Sequence, residues 1–284
     1  MPATIISLTT IPPRFSQIGA TLRDLLRQDV KIDEIRLNIA RSYRRFPGIV
    51  PSLPTLPEGI TVHISEQDYG PGTKLLPTLR DHLGKDTEIL FCDDDQEYAP
   101  DWARRFLETR REKPNCCIVG KGYDFDSRPK GSRYFIEDTL FPRAYRQQKG
   151  LGYRLQRLVH LAQRRPKPFL ATLPGYVHVL EAYRGALVRS EFFPEEVFDI
   201  PDLLWTVDDP WFSGHMARKN VPIWMMLRDR PHRDGYEAHH TERLLEFEYQ
   251  GVGRLDADTA CIDYFREHYG IWPGRKEVPE EVAA

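Results

Sequence analysis

Through the first 120 residues, short apolar runs alternate with stretches that carry apolar residues three and four apart, and this alternation limits the fold most. Residues 3–8, 34–39, 59–64, 88–92 and 116–120 have the length and composition of buried strands. Between them, 16–28, 74–83 and 100–111 read as helices. In the first, Ile18, Leu22, Leu25 and Leu26 share a face; in the second, Pro77 falls in the opening turn, where it is tolerated. Such alternation predicts an α/β fold, a mainly parallel sheet flanked by helices. Ligands of these sheets collect beyond the carboxyl ends of the strands.

The second half is less regular. Strands are expected within 179–188 and 222–227, and helices over 209–220, 238–250 and 256–268, with a frayed tail from 276. No internal repeat or low-complexity linker divides the 284 residues, so one domain is expected over 1–284. Its parts are the regularly alternating stretch (1–122), the less regular stretch (123–236) and C-terminal helices (237–284). A net charge of -2 argues against a general nucleic-acid binder. Cys92, Cys116, Cys117 and Cys261 form no C-x-x-C pair, which predicts buried free thiols in a reducing compartment. Residues 5–8 are too short and lack a basic leader for a signal peptide, and no apolar run reaches spanning length. A cytoplasmic protein is expected.

Three aspartates, Asp93, Asp94 and Asp95, close the strand at 88–92. Carboxylates packed this tightly repel one another, and a divalent cation held together with substrate phosphates would relieve the repulsion. On a strand continued by one residue, Asp93 and Asp95 would share a face and Asp94 would point away. The plainer alternative is a solvated acidic turn that caps the helix near Pro100.

Four other segments join the aspartates. Thr9-Thr10-Ile11-Pro12-Pro13-Arg14 follows the first strand, and Arg14 offers a planar fork suited to phosphate or a nucleobase carbonyl. It also reads as a proline-stiffened connector. Asp68-Tyr69-Gly70-Pro71-Gly72-Thr73-Lys74 follows the third strand; its glycines allow close backbone approach and Lys74 could neutralise a diphosphate, although a simple turn explains the glycines equally well. Asp208-Asp209-Pro210 has the form of a helix start with Asp209 as cap. A carboxylate so fixed is equally a platform for a general base. His232 could complete a metal shell, with His239 and His240 as competitors, and a lone histidine is also often structural.

Together these segments resemble nucleotide-sugar glycosyltransferases of the GT-A fold, in a bacterial, family 2-like branch, over roughly residues 3–236. The resemblance implies a GT-A (Rossmann-like) sheet with an irregular acceptor-binding second half. It implies that Asp93 to Asp95 are the DxD segment for metal and ribose, with Asp95 the direct metal ligand, Asp93 and Asp94 beside it and His232 a further ligand. It also implies that Asp209, tuned by Asp208, is the catalytic base. Thr9, Arg14, Asp68, Gly70 and Lys74 then hold nucleotide and diphosphate, with Mn²⁺ or Mg²⁺ as cofactor. Three aspartates in a row leave the register of the motif open by one residue.

The expected activity is a hexosyltransferase-type (EC 2.4) transfer from a UDP-linked sugar to a glycan or lipid-linked acceptor, inverting at the anomeric carbon, as in polysaccharide biosynthesis. A sugar-phosphate nucleotidyltransferase would share the acidic site but wants a glycine-rich loop after the first strand, and 8–15 contains no glycine. A non-catalytic glycan or ion-binding module would not need Asp209. Residues 141–170 carry eight Lys or Arg and no Asp or Glu. They read either as a core-packed amphipathic helix or as a peripheral contact with the inner face of the cytoplasmic membrane through Leu151, Leu155 and Leu158. Trp205, Trp211 and Tyr176 either stack on sugar or fill the core, with core packing the default.

Overall fold

Four parallel strands build the first half of the sheet in a computed structural model that describes residues 2–49, 55–124, 140–147, 171–226, 236 and 240–272. They are β1 (Ala3–Thr9), β2 (Glu34–Ala40), β3 (Ile60–Ser65) and β4 (Thr87–Phe91), connected through α1 (Gly19–Leu26) and α2 (Leu76–Asp81). After α3 (Trp102–Glu112) come β5 (Cys117–Val119), β6 (Gly122–Tyr123), β7 (Tyr145–Gln147), β8 (Ala171–Leu173), β9 (Gly175–Val177), β10 (Val179–Leu180), β11 (Ala186–Val188) and β12 (Ile223–Met225). Helix α4 (Asp209–Arg218) precedes β12, and β13 (Glu248–Tyr249), β14 (Val252–Gly253) and α5 (Arg254–Tyr269) end the described chain. The sheet runs β3-β2-β1-β4-β11-β5-β12-β9. The α/β architecture with a large, mainly parallel sheet flanked by helices is the one the alternation predicts.

The pleat separates two cores. Leu90, Ile118 and Leu187 face α1 and α3, while Ile89, Phe91, Val119 and Val188 pack with Trp211, Phe212, Ile262 and Phe265 from α4 and α5. Strand β11 enters antiparallel between β4 and β5, an insertion absent from the expected pattern. A buried ion cluster holds it there. Arg110 Nε and Arg189 Nε donate to the two oxygens of Glu88 at 2.9 and 2.8 Å, and Arg110 Nη2 donates to the Leu187 carbonyl at 2.9 Å. These charges are paired and hydrogen-bonded, which makes their burial tolerable.

A second buried network sets up the ligand edge. Asn38 Nδ2 donates to Ser7 Oγ and Thr78 Oγ1, both at 3.0 Å, and Ser7 Oγ donates to the Lys74 carbonyl at 2.6 Å. Strands β1 and β2 are thereby tied to the turn that carries Lys74.

Some expectations need correction. Leu26 is 38% exposed, because it lies at the margin of the face that Ile18, Leu22 and Leu25 bury. The helix expected over 238–250 is not formed in its described part: Leu244–Glu246 is a single 3₁₀ turn, and β13 and β14 form a hairpin. Gln250 and Gly251 both have positive φ (51° and 77°), the conformation of a tight hairpin turn, which a helix excludes. All four cysteines are free and buried, as expected. The basic stretch at 148–170, with Leu151, Leu155 and Leu158, lies outside the described residues. Among the described residues no helix is long and apolar enough to cross a membrane.

Candidate functional site

Parallel pairing places Ser7 beside Phe91, and the Cys92 N–H donates to the Ser7 carbonyl at 3.0 Å. The loops after β1 and β4 therefore leave the sheet side by side. Thr10 Oγ1 donates to Asp94, and Arg14 Nη1 donates to Asp94 Oδ1 at 2.7 Å and to Asp95 Oδ2 at 3.3 Å. Asp94 does not point away from its neighbours. The extended backbone ends at Phe91, and in the turn that follows Asp94 and Asp95 share one guanidinium. Asp93 instead meets Lys74. Crowded negative charge beyond β4 is thus relieved in part by side-chain cations.

Lys74 joins this turn to the second acidic pair. Its ammonium lies between Asp93 and Asp208, with Nζ 2.9 Å from Asp208 Oδ2. Arg254, at the start of α5, donates from Nη2 to Asp208 Oδ1 at 2.6 Å and from Nη1 to the Thr206 carbonyl. Burial alone would raise the Asp208 carboxyl, but Lys74 and then Arg254 hold it below the usual range. Asp209 behaves oppositely: burial, then the Asp208 charge, push it well above the ordinary carboxylate value. It is the first residue of α4 rather than its cap, and no side chain caps that helix. Its Oδ1 accepts the Ala182 N–H at 3.0 Å, which fixes the carboxylate from outside the helix.

These groups line one cavity of about 480 Å³ beyond β1 and β4. Thr9, Arg14, Asp68, Gly70, Lys74, Asp93, Asp94, Asp95, Asp208 and Asp209, all expected from sequence, line it together. His232 and His239 lie outside the described residues, and His240 is exposed. Some local roles differ from expectation. Asp68 accepts backbone N–H groups from Arg44 and Gly70, both at 2.8 Å, and so pins two loops together. Gly70 has φ +58°, and a Cβ there would lie 2.5 Å from the Trp205 carbonyl oxygen. Its missing side chain makes room for Trp205, not only for a ligand. Trp205 lines the cavity, whereas Trp211 is core with Nε1 donating to the Val197 carbonyl at 2.9 Å. Tyr176 packs edge-on against Trp224, away from the cavity.

Sequence reasoning missed Arg254, Tyr43 and Tyr183, which also line the cavity. The helix over 256–268 was expected to begin two residues late, which left Arg254 out; no local signal marks the other two. Tyr43 donates its hydroxyl to the Thr10 carbonyl at 2.9 Å and so steadies the loop after β1.

Seven carboxylates (Asp68, Asp93, Asp94, Asp95, Asp208, Asp209 and Glu242) and five cations (Arg14, Arg45, Lys74, Arg243 and Arg254) line this cavity. Burial is the chief cause that raises the Asp93 and Asp94 carboxyls, with Asp95 adding to it against Lys74 and Arg14, and Asp94 is pushed up to about 6. Hard oxygen donors with surplus negative charge fit Mg²⁺ or Mn²⁺. Among the described residues, however, no group of three or more His, Cys, Asp or Glu side chains surrounds one point.

No family model matches the chain, and no curated protein matches it in sequence. Among solved structures, the crystal structure of S. aureus TarS 1-349 is similar at a TM-score of 0.37 and 14% identity, covering 83% of this chain and 60% of that one. A crystal structure of S. aureus TarS gives a TM-score of 0.36 at 14% identity, covering 83% of this chain and 36% of that one. This chain spans less than two thirds of the length of either.

Proposed function

We propose that the protein is a glycosyltransferase that moves a sugar from a nucleoside diphosphate, with uracil as the base, to a hydroxyl of a glycan or lipid-linked acceptor. The observation that carries this reading is the convergence of two separate aspartate groups, 93–95 and 208–209, on one cavity with Lys74 between them. Lys74 and Arg14 would receive the diphosphate, and Thr9, Asp68 and Gly70 would shape the nucleoside end. Asp93 and Asp95 would hold Mn²⁺ or Mg²⁺, which supplies Lewis-acid neutralisation of charge on a departing diphosphate.

Asp209 is the proposed general base. Its raised proton affinity suits it to accept the proton of the acceptor hydroxyl, and the Ala182 N–H keeps its carboxylate in place. As the acceptor oxygen bonds to the anomeric carbon, the bond from that carbon to the diphosphate breaks and configuration inverts. Asp208 stays ionised between Lys74 and Arg254, and its charge raises the basicity of Asp209.

Thermal-shift and calorimetric titration with UDP, ADP and GDP, with and without Mn²⁺, tests the reading. UDP with Mn²⁺ is expected to bind best, and a UDP-sugar is expected to be hydrolysed slowly without acceptor. A protein that takes up no nucleotide under any of these conditions overturns the assignment.

A further inference from the structure

Arg14 lies in the cavity wall with its guanidinium on two of the carboxylates that crowd the turn after β4. Nη1 donates to Asp94 Oδ1 at 2.7 Å and to Asp95 Oδ2 at 3.3 Å. The other oxygen of each carboxylate accepts from a neutral donor: Thr10 Oγ1 reaches Asp94 Oδ2 at 2.5 Å, and Gln96 Nε2 reaches Asp95 Oδ1 at 2.6 Å. Thr10 and Gln96 orient the two groups, and Arg14 brings the compensating charge.

The guanidinium is tethered apart from the aspartates. Residues 12–14 form a 3₁₀ turn opened by two prolines, and the Arg14 N–H donates to the Ile11 carbonyl at 2.9 Å, so the backbone is fixed. From it Nε donates to the Thr241 carbonyl at 2.8 Å, and Thr241 Oγ1 donates to Gln17 Oε1 at 3.0 Å. Nε thus holds the side chain at the cavity wall while Nη1 reaches the carboxylates. Of the four contacts to Asp94 and Asp95, the one from Nη1 to Asp95 Oδ2 is the longest and the weakest to give up.

A guanidinium at Asp95 Oδ2 repels a divalent cation and competes with it for that oxygen. Phosphate oxygens are equally good partners for the same fork, and each bond that passes from Asp95 to phosphate gives Asp95 back its negative charge. We propose that Arg14 is a resident counter-ion that withholds Asp95 from Mn²⁺ or Mg²⁺ until a nucleoside diphosphate draws the guanidinium away, so that the ion is taken up tightly together with the nucleotide and weakly without it. The inference rests on the transferase reading and adds how the two ligands of that site are coupled. Equilibrium coupling is reciprocal, so the ion tightens the nucleotide by the same factor.

Mn²⁺ is titrated into the intact protein, without nucleotide and with saturating UDP, and the free ion is followed by electron paramagnetic resonance. The wild type is expected to bind Mn²⁺ about tenfold more tightly with UDP than without it. Arg14→Gln is expected to bind Mn²⁺ about tenfold more tightly than the wild type in the absence of UDP, and to gain less when UDP is added. Arg14→Lys, which keeps the charge and loses the fork, falls between them. Arg243→Gln removes a more exposed cation that lines the same cavity and controls for net charge, with an expected change of less than about twofold. A residue needed for folding or for phosphate alone leaves the nucleotide-free affinity unchanged or lowers it. An Arg14→Gln protein that binds Mn²⁺ no more tightly than the wild type without UDP therefore overturns the inference, as does an equal gain in Arg243→Gln. Where Arg14→Gln does not fold, Arg14→Lys is judged by the same rule. A wild-type protein with bound UDP whose Mn²⁺ affinity is unchanged by it overturns the inference as well. Failure of UDP itself to bind sinks the transferase reading instead, and the nucleotide-free comparison of wild type with Arg14→Gln still decides whether Arg14 withholds Asp95 from the ion.

Discussion

Replacing Lys74 by Met probes the junction on which the site depends. Met fills nearly the same volume, so the change removes a charge without opening a large cavity. Lys74 is 5% exposed and stands between Asp93 and Asp208. Asp93 keeps some contact with water, its side chain being 28% exposed, but the Asp208 side chain is only 5% exposed and retains just Arg254. Removing one partner of a buried ion pair costs about 3–5 kcal/mol. With Arg254 still in place the lower end applies, ~3 kcal/mol, out of a total of about 5–15 kcal/mol for a typical domain. Urea unfolding at pH 7 measures it as a lowered midpoint at constant slope. Lys74→Met combined with Asp208→Asn should be less damaged than the sum of the single changes, with a coupling of about 1–3 kcal/mol. UDP at a hundredfold excess over its Kd should add about 2.7 kcal/mol to the wild type and little to Lys74→Met. A single variant within ~0.5 kcal/mol of wild type, or strictly additive changes, would refute the reasoning.

Asp209→Asn should lower turnover by roughly 10²–10⁴-fold while UDP affinity, measured by calorimetry, is retained. Gly70→Ala should cost about 1–3 kcal/mol in urea unfolding, because it forces a side chain into positive φ against the Trp205 carbonyl oxygen. His215 is buried in α4 beside Trp211 and Phe265, and burial, then Arg218, push its pKa down to about 3. Because the folded value lies below the unfolded one, this contribution is complete above about pH 6.5 and declines as pH falls towards 3, by at most ~1.4 kcal/mol per pH unit. Urea midpoints measured from pH 7 to 4 should show that slope in the wild type and lose it in His215→Leu.

Periodicity is a local property, and what was legible from sequence was local. Strands β1 to β4, helices α1 to α3 and the acidic turn after β4 could be placed because their apolar spacing and flanking residues lie within a few positions of each other. In a parallel sheet that placement was enough to bring Thr9, Arg14, Lys74 and the three aspartates to one edge. Asp208 and Asp209 could be found as well, because an acidic pair before proline marks a helix start.

Tertiary contacts decided the rest. Strand β11 lies between β4 and β5 because Arg110 and Arg189 meet Glu88 there, a contact that spans 101 residues for Arg189. Arg254 reaches Asp208 from 46 residues away, and Arg14 meets the Thr241 carbonyl across 227. The sequence by itself determined strands β1 to β5 and which end of them carries acid. Only the folded chain decided which cation neutralises each carboxylate, and hence that the proton affinity of Asp208 is lowered while that of Asp209 is raised. The reason is physical: backbone preference acts over a few residues, whereas charge compensation in a buried site depends on whichever groups packing brings within a few ångströms.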